Sequence, residues 1–243
     1  IEGFSGGDRT SLNIPSSQER LLQRLAALGK PIVLVLMNGS ALSIPWEQDH
    51  VPAILDAWYP GQQGGNAVAD VLFGDYNPAG RLPVTFYKSV DDLPAFDAYS
   101  MEGKTYRYFH GFPLYPFGFG LSYSAFVYQQ VKTERSSYGI GDTIEVAVTV
   151  QNSGERGGDE VVQVYTRPET TRAGDPILSL KGFNRVYLPA GQSRIVHVRI
   201  PVRELRMYDE QRHGYVIRPG MYQLQIGGSS ADIRLTTIIH AGE

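Results

Sequence analysis

The sequence changes its periodicity near residue 125, and that change limits the fold more than any other feature. Before it, apolar residues come in continuous runs separated by stretches of helical spacing. After it, they alternate with polar residues in 144–150, 161–165, 195–200 and 221–226. Alternation with period two buries one face of a strand and wets the other. Turn residues at Asn152-Ser153-Gly154, Pro189-Ala190-Gly191 and Pro219-Gly220 separate these runs. Six or seven short strands over about 118 residues predict an antiparallel β-sandwich.

The first half reads differently. Ser16 with Glu19 three residues on has the form of a helix-capping box. Leu21, Leu22, Leu25 and Leu28 follow at helical spacing, and Gly29 is a plausible stop. The run 32–37 is apolar throughout, as in a strand buried on both faces. A second strand is expected over 53–58, a small-residue helix over 64–73 with Ala67, Val68, Val71 and Leu72 on one face, and an edge strand at 82–86 containing Pro83. Helices alternating with apolar strands imply a parallel α/β sheet. The expected division is thus an α/β part in 1–86, an aromatic-rich wrapping linker in 87–124 and an all-β part in 125–243. Three strands are few for a sheet covered on both faces, which places further strands upstream. The opening at Ile1, in a glycine-rich loop with no basic and apolar leader, also reads as a piece of a longer polypeptide.

Composition narrows the function classes. Of 243 residues, 42% are hydrophobic and 19% charged, which is ordinary for a globular protein. Gly and Pro together make up about 17%, against a usual total of about 12%, so turns are frequent. The net charge of -3 shows neither a nucleic-acid footprint nor a polybasic membrane patch. No apolar run is long enough for a transmembrane helix, so no membrane partner is expected. There are no cysteines, which excludes thiolate catalysis and zinc–cysteine sites. The five histidines are scattered, and neither a metal nor another cofactor is expected.

Several motifs carry candidate chemistry. Asn38-Gly39-Ser40-Ala41-Leu42 follows a strand but fails the G-x-S-x-G pattern of a nucleophile elbow. Gly61-Gln62-Gln63-Gly64-Gly65 lacks the ending of a P-loop and suits tight packing of helix on sheet. Gly118-Phe119-Gly120 is not followed by a helix. Carboxylates matter most for glycoside hydrolysis, where two of them flank the scissile bond. Glu2 and Asp8 lie in the opening loop, and loops at sheet ends often carry reacting groups. An Asp8–Arg9 ion pair that pins the loop is the alternative. The aromatic tract around Tyr106 and Arg107 could line a sugar platform, and packing is an equal reading.

Taken in order, these blocks are recognisable. Glu2-Gly3, Gly7-Asp8-Arg9, Leu12 and Pro15 resemble the start of the C-terminal half of family 3 glycoside hydrolases. The block from Ala57-Trp58-Tyr59-Pro60-Gly61-Gln62 through Ala69-Asp70-Val71-Leu72-Phe73-Gly74 is similar to that family, as are 77–83, 106–108 and 116–123. Residues 125–243 resemble its fibronectin type III-like domain. The resemblance implies part of a retaining, exo-acting β-glucosidase, or a β-xylosidase, acting at the non-reducing end of a β-linked glucoside or xyloside. It implies an N-terminal (β/α)8 barrel as partner, carrying the nucleophilic aspartate outside this chain. It places the acid/base glutamate on a loop of the α/β sandwich, a few residues before Ile1 or at Glu2, the only glutamate near that motif. Asp8, Arg9, Tyr106 and Arg107 are then candidates for binding substrate or positioning loops. Family habit suggests the periplasm or the cell exterior, and a homodimer is left open. The reading from another class is a non-catalytic carbohydrate-binding or interaction module.

Overall fold

The computed structural model describes residues 4–5 and 8–242. The chain forms two units: Ile1–Tyr76, Val84–Thr105 and Phe109–Pro116 build the first, and Asn77–Pro83, Tyr106–Tyr108 and Phe117–Glu243 the second.

In the first unit, β1 (Phe4–Ser5) and β2 (Asp8–Arg9) pair antiparallel. Next comes α1 (Ser16–Ala26). Its N-cap is Pro15, whose carbonyl accepts from the N–H groups of Gln18 and Glu19. Ser16 is already inside the helix, so the expected capping box does not form. Strand β3 (Val33–Leu36), helix α2 (Pro45–His50) and strand β4 (Ala53–Asp56) follow, and β3 pairs with β4 in parallel. Only Leu36 of β3 is buried and Val33 is exposed, so the expected burial on both faces is not met among the described residues. Helix α3 (Gly64–Phe73) ends at Gly74, whose φ of 84° is the left-handed value that glycine adopts without strain. Ala67 and Leu72 of its expected inner face are exposed. The expected strand at 82–86 is absent; Phe86 forms a lone antiparallel bridge with Tyr115. Helix α2 is one turn and a half, opened by Pro45, and the sequence pattern did not signal it. Helix α4 (Thr105–Tyr108) is a single turn.

The second unit is the expected sandwich. Its strands are β5 (Phe126–Thr133), β6 (Ser137–Tyr138), β7 (Thr143–Asn152), β8 (Gly158–Pro168), β9 (Ser179–Leu188), β10 (Ser193–Pro201), β11 (Met207–Asp209), β12 (Gly214–Val216), β13 (Gly220–Ser229) and β14 (Asp232–Ala241). One sheet has the order β10-β7-β5, the other β6-β14-β13-β8-β9, and β11 with β12 is a separate hairpin. Pairing is antiparallel except between β14 and β6. Alternate residues of β7, Ile144, Val146, Val148 and Val150, are fully buried, as the period-two pattern requires. They meet Val162, Val164, Leu224, Ile226 and Ile239 from the other sheet in one core.

Segments 77–83, 106–108 and 117–124 lie on this sandwich. Gln163 of β8 donates to the carbonyls of Gly118 and Gly228, and the Tyr165 hydroxyl donates to Gln163. Arg81 pairs with buried Glu160 at 2.7 Å, and Glu160 also accepts from the Tyr128 hydroxyl at 2.8 Å. Asn77 donates to Ser124 and to the Gly157 carbonyl.

Candidate functional site

In an open parallel α/β sheet, ligands gather at the carboxyl ends of the strands. Here those ends belong to β3 and β4, and the Ala57 N–H reaches the Leu36 carbonyl to hold them together. Beyond β3 the chain continues as Met37-Asn38-Gly39-Ser40, and beyond β4 as Ala57-Trp58-Tyr59-Pro60.

Arg9 ties the opening strand pair to this edge. Its Nη1 donates to Ser40 Oγ at 2.6 Å and to the Ala41 carbonyl at 3.3 Å, and its Nε donates to the Ser11 carbonyl. A planar guanidinium with five fixed donors suits such bracing of two loops. Asn13 bridges Ser43 in the same direction. Asn38 folds its own loop by donating to the Ser40 carbonyl at 2.9 Å, and its Oδ1 is buried with no hydrogen-bond partner among the described residues.

Asp56 closes β4. Its Oδ1 accepts the Trp58 N–H at 3.1 Å. Burial raises its carboxyl above the usual range, and bonds from the Trp58 backbone and the Asn38 side chain oppose that rise. Trp58 has φ of 51°, a left-handed value rare for a bulky residue. Its ring meets Phe86 edge-on at 6.2 Å, and Phe86 in turn meets Tyr115. Glu47 on α2 is buried, and its carboxyl is raised by desolvation, against its own backbone N–H and with help from Glu19.

The sequence-derived candidates separate as follows. Glu2 lies outside the described residues, and of Asp8 the backbone pairing with Ser5 is described. Arg9 braces the strand-end loops of the first unit. Tyr106 belongs to the second unit, stacked on Phe117 at 4.2 Å and edge-on to Tyr165, with its hydroxyl accepting the Leu180 N–H. Arg107 accepts the Ile177 N–H through its carbonyl, and its guanidinium lies over the Tyr108 ring. Asn38 entered the sequence reading in the rejected nucleophile-elbow motif and Trp58 and Tyr59 in the family block, but none of them, nor Asp56, was singled out as a site residue. Their signal was positional: each follows an apolar run that becomes one of two adjacent parallel strands. Among the described residues, no cluster of His, Asp or Glu could hold a metal ion.

The chain is thus an α/β unit with its candidate site at the strand ends, followed by a fibronectin-like sandwich. Family comparison specifies it. Residues 2–123 match the glycosyl hydrolase family 3 C-terminal domain and residues 160–230 the fibronectin type III-like domain, and the chain belongs to that family. It is 44% identical to a xylan 1,4-β-xylosidase of Xylanibacter ruminicola over 96% of this chain and 26% of the relative. It is 39% identical to a periplasmic β-glucosidase of Salmonella typhimurium, over 93% of this chain and 31% of the relative. A solved β-glucosidase from Erythrobacter marinus superposes with a TM-score of 0.85 at 38% identity, covering 99% of this chain and 32% of that one. Another from Streptomyces venezuelae, in complex with D-glucose, gives 0.86 at 35% identity, covering 97% and 32%. The chain thus spans about a third or less of the length of these relatives.

Proposed function

We propose that this chain is the C-terminal part of a retaining, exo-acting β-glycosidase that releases glucose or xylose from the non-reducing end of β-linked substrates. The nucleophile then stands on an upstream barrel, and the acid/base glutamate is Glu2 or a neighbour just before it. What supports this reading is the match of residues 2–123 to the family's C-terminal domain, with the Arg9 brace to Ser40 and the Ala41 carbonyl fixing the strand-end loop beside it. A general acid must meet the leaving oxygen at hydrogen-bond distance, so a fixed loop favours it. Arg9 is a positioning residue in this scheme, with Asp8 beside it, and Tyr106 and Arg107 order the tract on the second unit. The 39% identity to a periplasmic β-glucosidase supports action in the periplasm or outside the cell. No described helix is long and apolar enough to cross a membrane.

The test uses the complete polypeptide and aryl β-glucosides and β-xylosides. Turnover is expected from the complete polypeptide and none from residues 1–243 alone. Arg9→Ala should lower kcat more than tenfold, shift the basic limb of the pH profile, which the general acid sets, and change Tm little, with partial rescue in Arg9→Lys. Full activity of Arg9→Ala would remove the positioning role. Turnover by the lone chain would overturn the upstream nucleophile.

A further inference from the structure

Tyr59 is the exposed aromatic of the strand-end site: 77% of its surface is open although its backbone is fixed on both sides. On one side, Asp56 holds the Trp58 N–H and with it the left-handed backbone at Trp58. On the other, Pro60 packs on Gly64 at the start of α3, where a Cβ would stand 2.5 Å from the proline ring. The Tyr59 ring itself rests on Gly39. A Cβ at that glycine would lie 2.7 Å from Tyr59 Cε2 and 2.9 Å from its hydroxyl oxygen. The loop carrying Gly39 is the one braced by Arg9 and Asn38. A ring seated this way loses little conformational freedom when a ligand covers it. Pyranoses present an apolar C–H face and a rim of hydroxyl groups. Tyr59 offers the apolar surface for the C–H face.

We propose that Tyr59 binds a sugar ring of the substrate, on the leaving-group side of the scissile bond. This rests on the glycosidase reading, because the acid/base protonates the leaving oxygen and the Tyr59 loop adjoins the loop fastened to it. It adds to the leaving-group side a binding residue seated by Gly39.

The experiment compares the complete polypeptide with Tyr59→Ala, Tyr59→Phe, Gly39→Val and the double variant. Substrates are a β-linked disaccharide of the preferred sugar and its small aryl glycoside. Tyr59→Ala should raise KM for the disaccharide roughly tenfold, as loss of one stacking contact does. The small aryl glycoside, which has less surface to stack, should show a smaller rise in KM; Tyr59→Phe should match the parent, and Tm should not move. Gly39→Val displaces the ring and should reproduce the loss, with no further loss in the double variant. An unchanged disaccharide KM overturns the proposal. So does a fall in Tm of Tyr59→Ala, which would place the ring against another part of the polypeptide. If the parent hydrolyses neither sugar class, the glycosidase reading fails on its own. Calorimetric titration with the disaccharide then decides for Tyr59 as a sugar-binding residue, without the leaving-group assignment: weaker binding by Tyr59→Ala upholds that role, and equal or absent binding overturns it.

Discussion

Glu47 is a carboxylate with 2% of its surface exposed, and its Oε1 has no hydrogen-bond partner among the described residues. Desolvation raises its pKa, and Glu19 adds to the rise. The sign for stability follows from linkage. Below the unfolded-state value both states hold the proton, and the residue is neutral toward folding. As pH rises above that value, the unfolded chain ionises first and folding loses stability until the raised native value is passed. Glu47→Gln should therefore stabilise the first unit by about 1 kcal/mol at neutral pH and by much less near pH 4. Thermal unfolding at both pH values checks this, and an equal gain at both would contradict it. Asp56 differs in function, since its oxygen holds the Trp58 turn. Asp56→Ala should release that turn and weaken disaccharide binding as Tyr59→Ala does, whereas Asp56→Asn, which keeps the acceptor, should not. KM for the two variants separates these outcomes.

At the level of elements, what the sequence made legible follows from whether the signal was local. Strands β7, β8, β10 and β13 were visible because a face buried against the other sheet leaves a period of two in the chain. The 82–86 strand was misread because an apolar run carries no record of whether a neighbour pairs with it, and here Leu82 instead bonds Phe119. Ser16 and Glu19 have the spacing of a capping box, yet Pro15 with its fixed φ already occupies the N-cap. Arg9 was legible as a loop-pinning residue, but its partner Ser40 lies 31 residues away and only the fold supplies it. The lining of the second unit is equally non-local. Arg81 reaches Glu160, whose side chain is 3% exposed, so Arg81→Ala would strand a buried charge. That change should cost roughly 3–5 kcal/mol, and pairing it with Glu160→Met should recover most of the loss. Gly120 is under a similar constraint, because a Cβ there would meet the Gly80 carbonyl oxygen at 2.0 Å. Gly120→Ala should lower stability by about 2 kcal/mol or more. Urea unfolding of the three variants measures both effects.

The two units of the whole molecule are unequally complete. The sandwich encloses its core, with Ile144, Val162, Leu224 and Ile239 wholly buried. The α/β unit exposes Leu21 and Leu25 on α1, Leu28 in the turn after it, Val33 on β3 and Phe73 at the end of α3. Its sheet has two strands among the described residues, and an isolated pair is marginal in water. Apolar surface of this kind marks a site of association, and the relatives carry two-thirds or more of their length beyond the matched region. The isolated chain should therefore unfold in two steps, the lower from the α/β unit, and should bind a hydrophobic dye before the first step. In the complete polypeptide the dye signal should vanish and the lower step should rise, while the upper step, set by the sandwich core, should stay within a few degrees. Calorimetry of both forms, with the sandwich followed separately by Arg81→Ala, assigns each step. A single transition in the lone chain, without dye binding, would mean that the α/β unit closes its own core and needs no upstream strands.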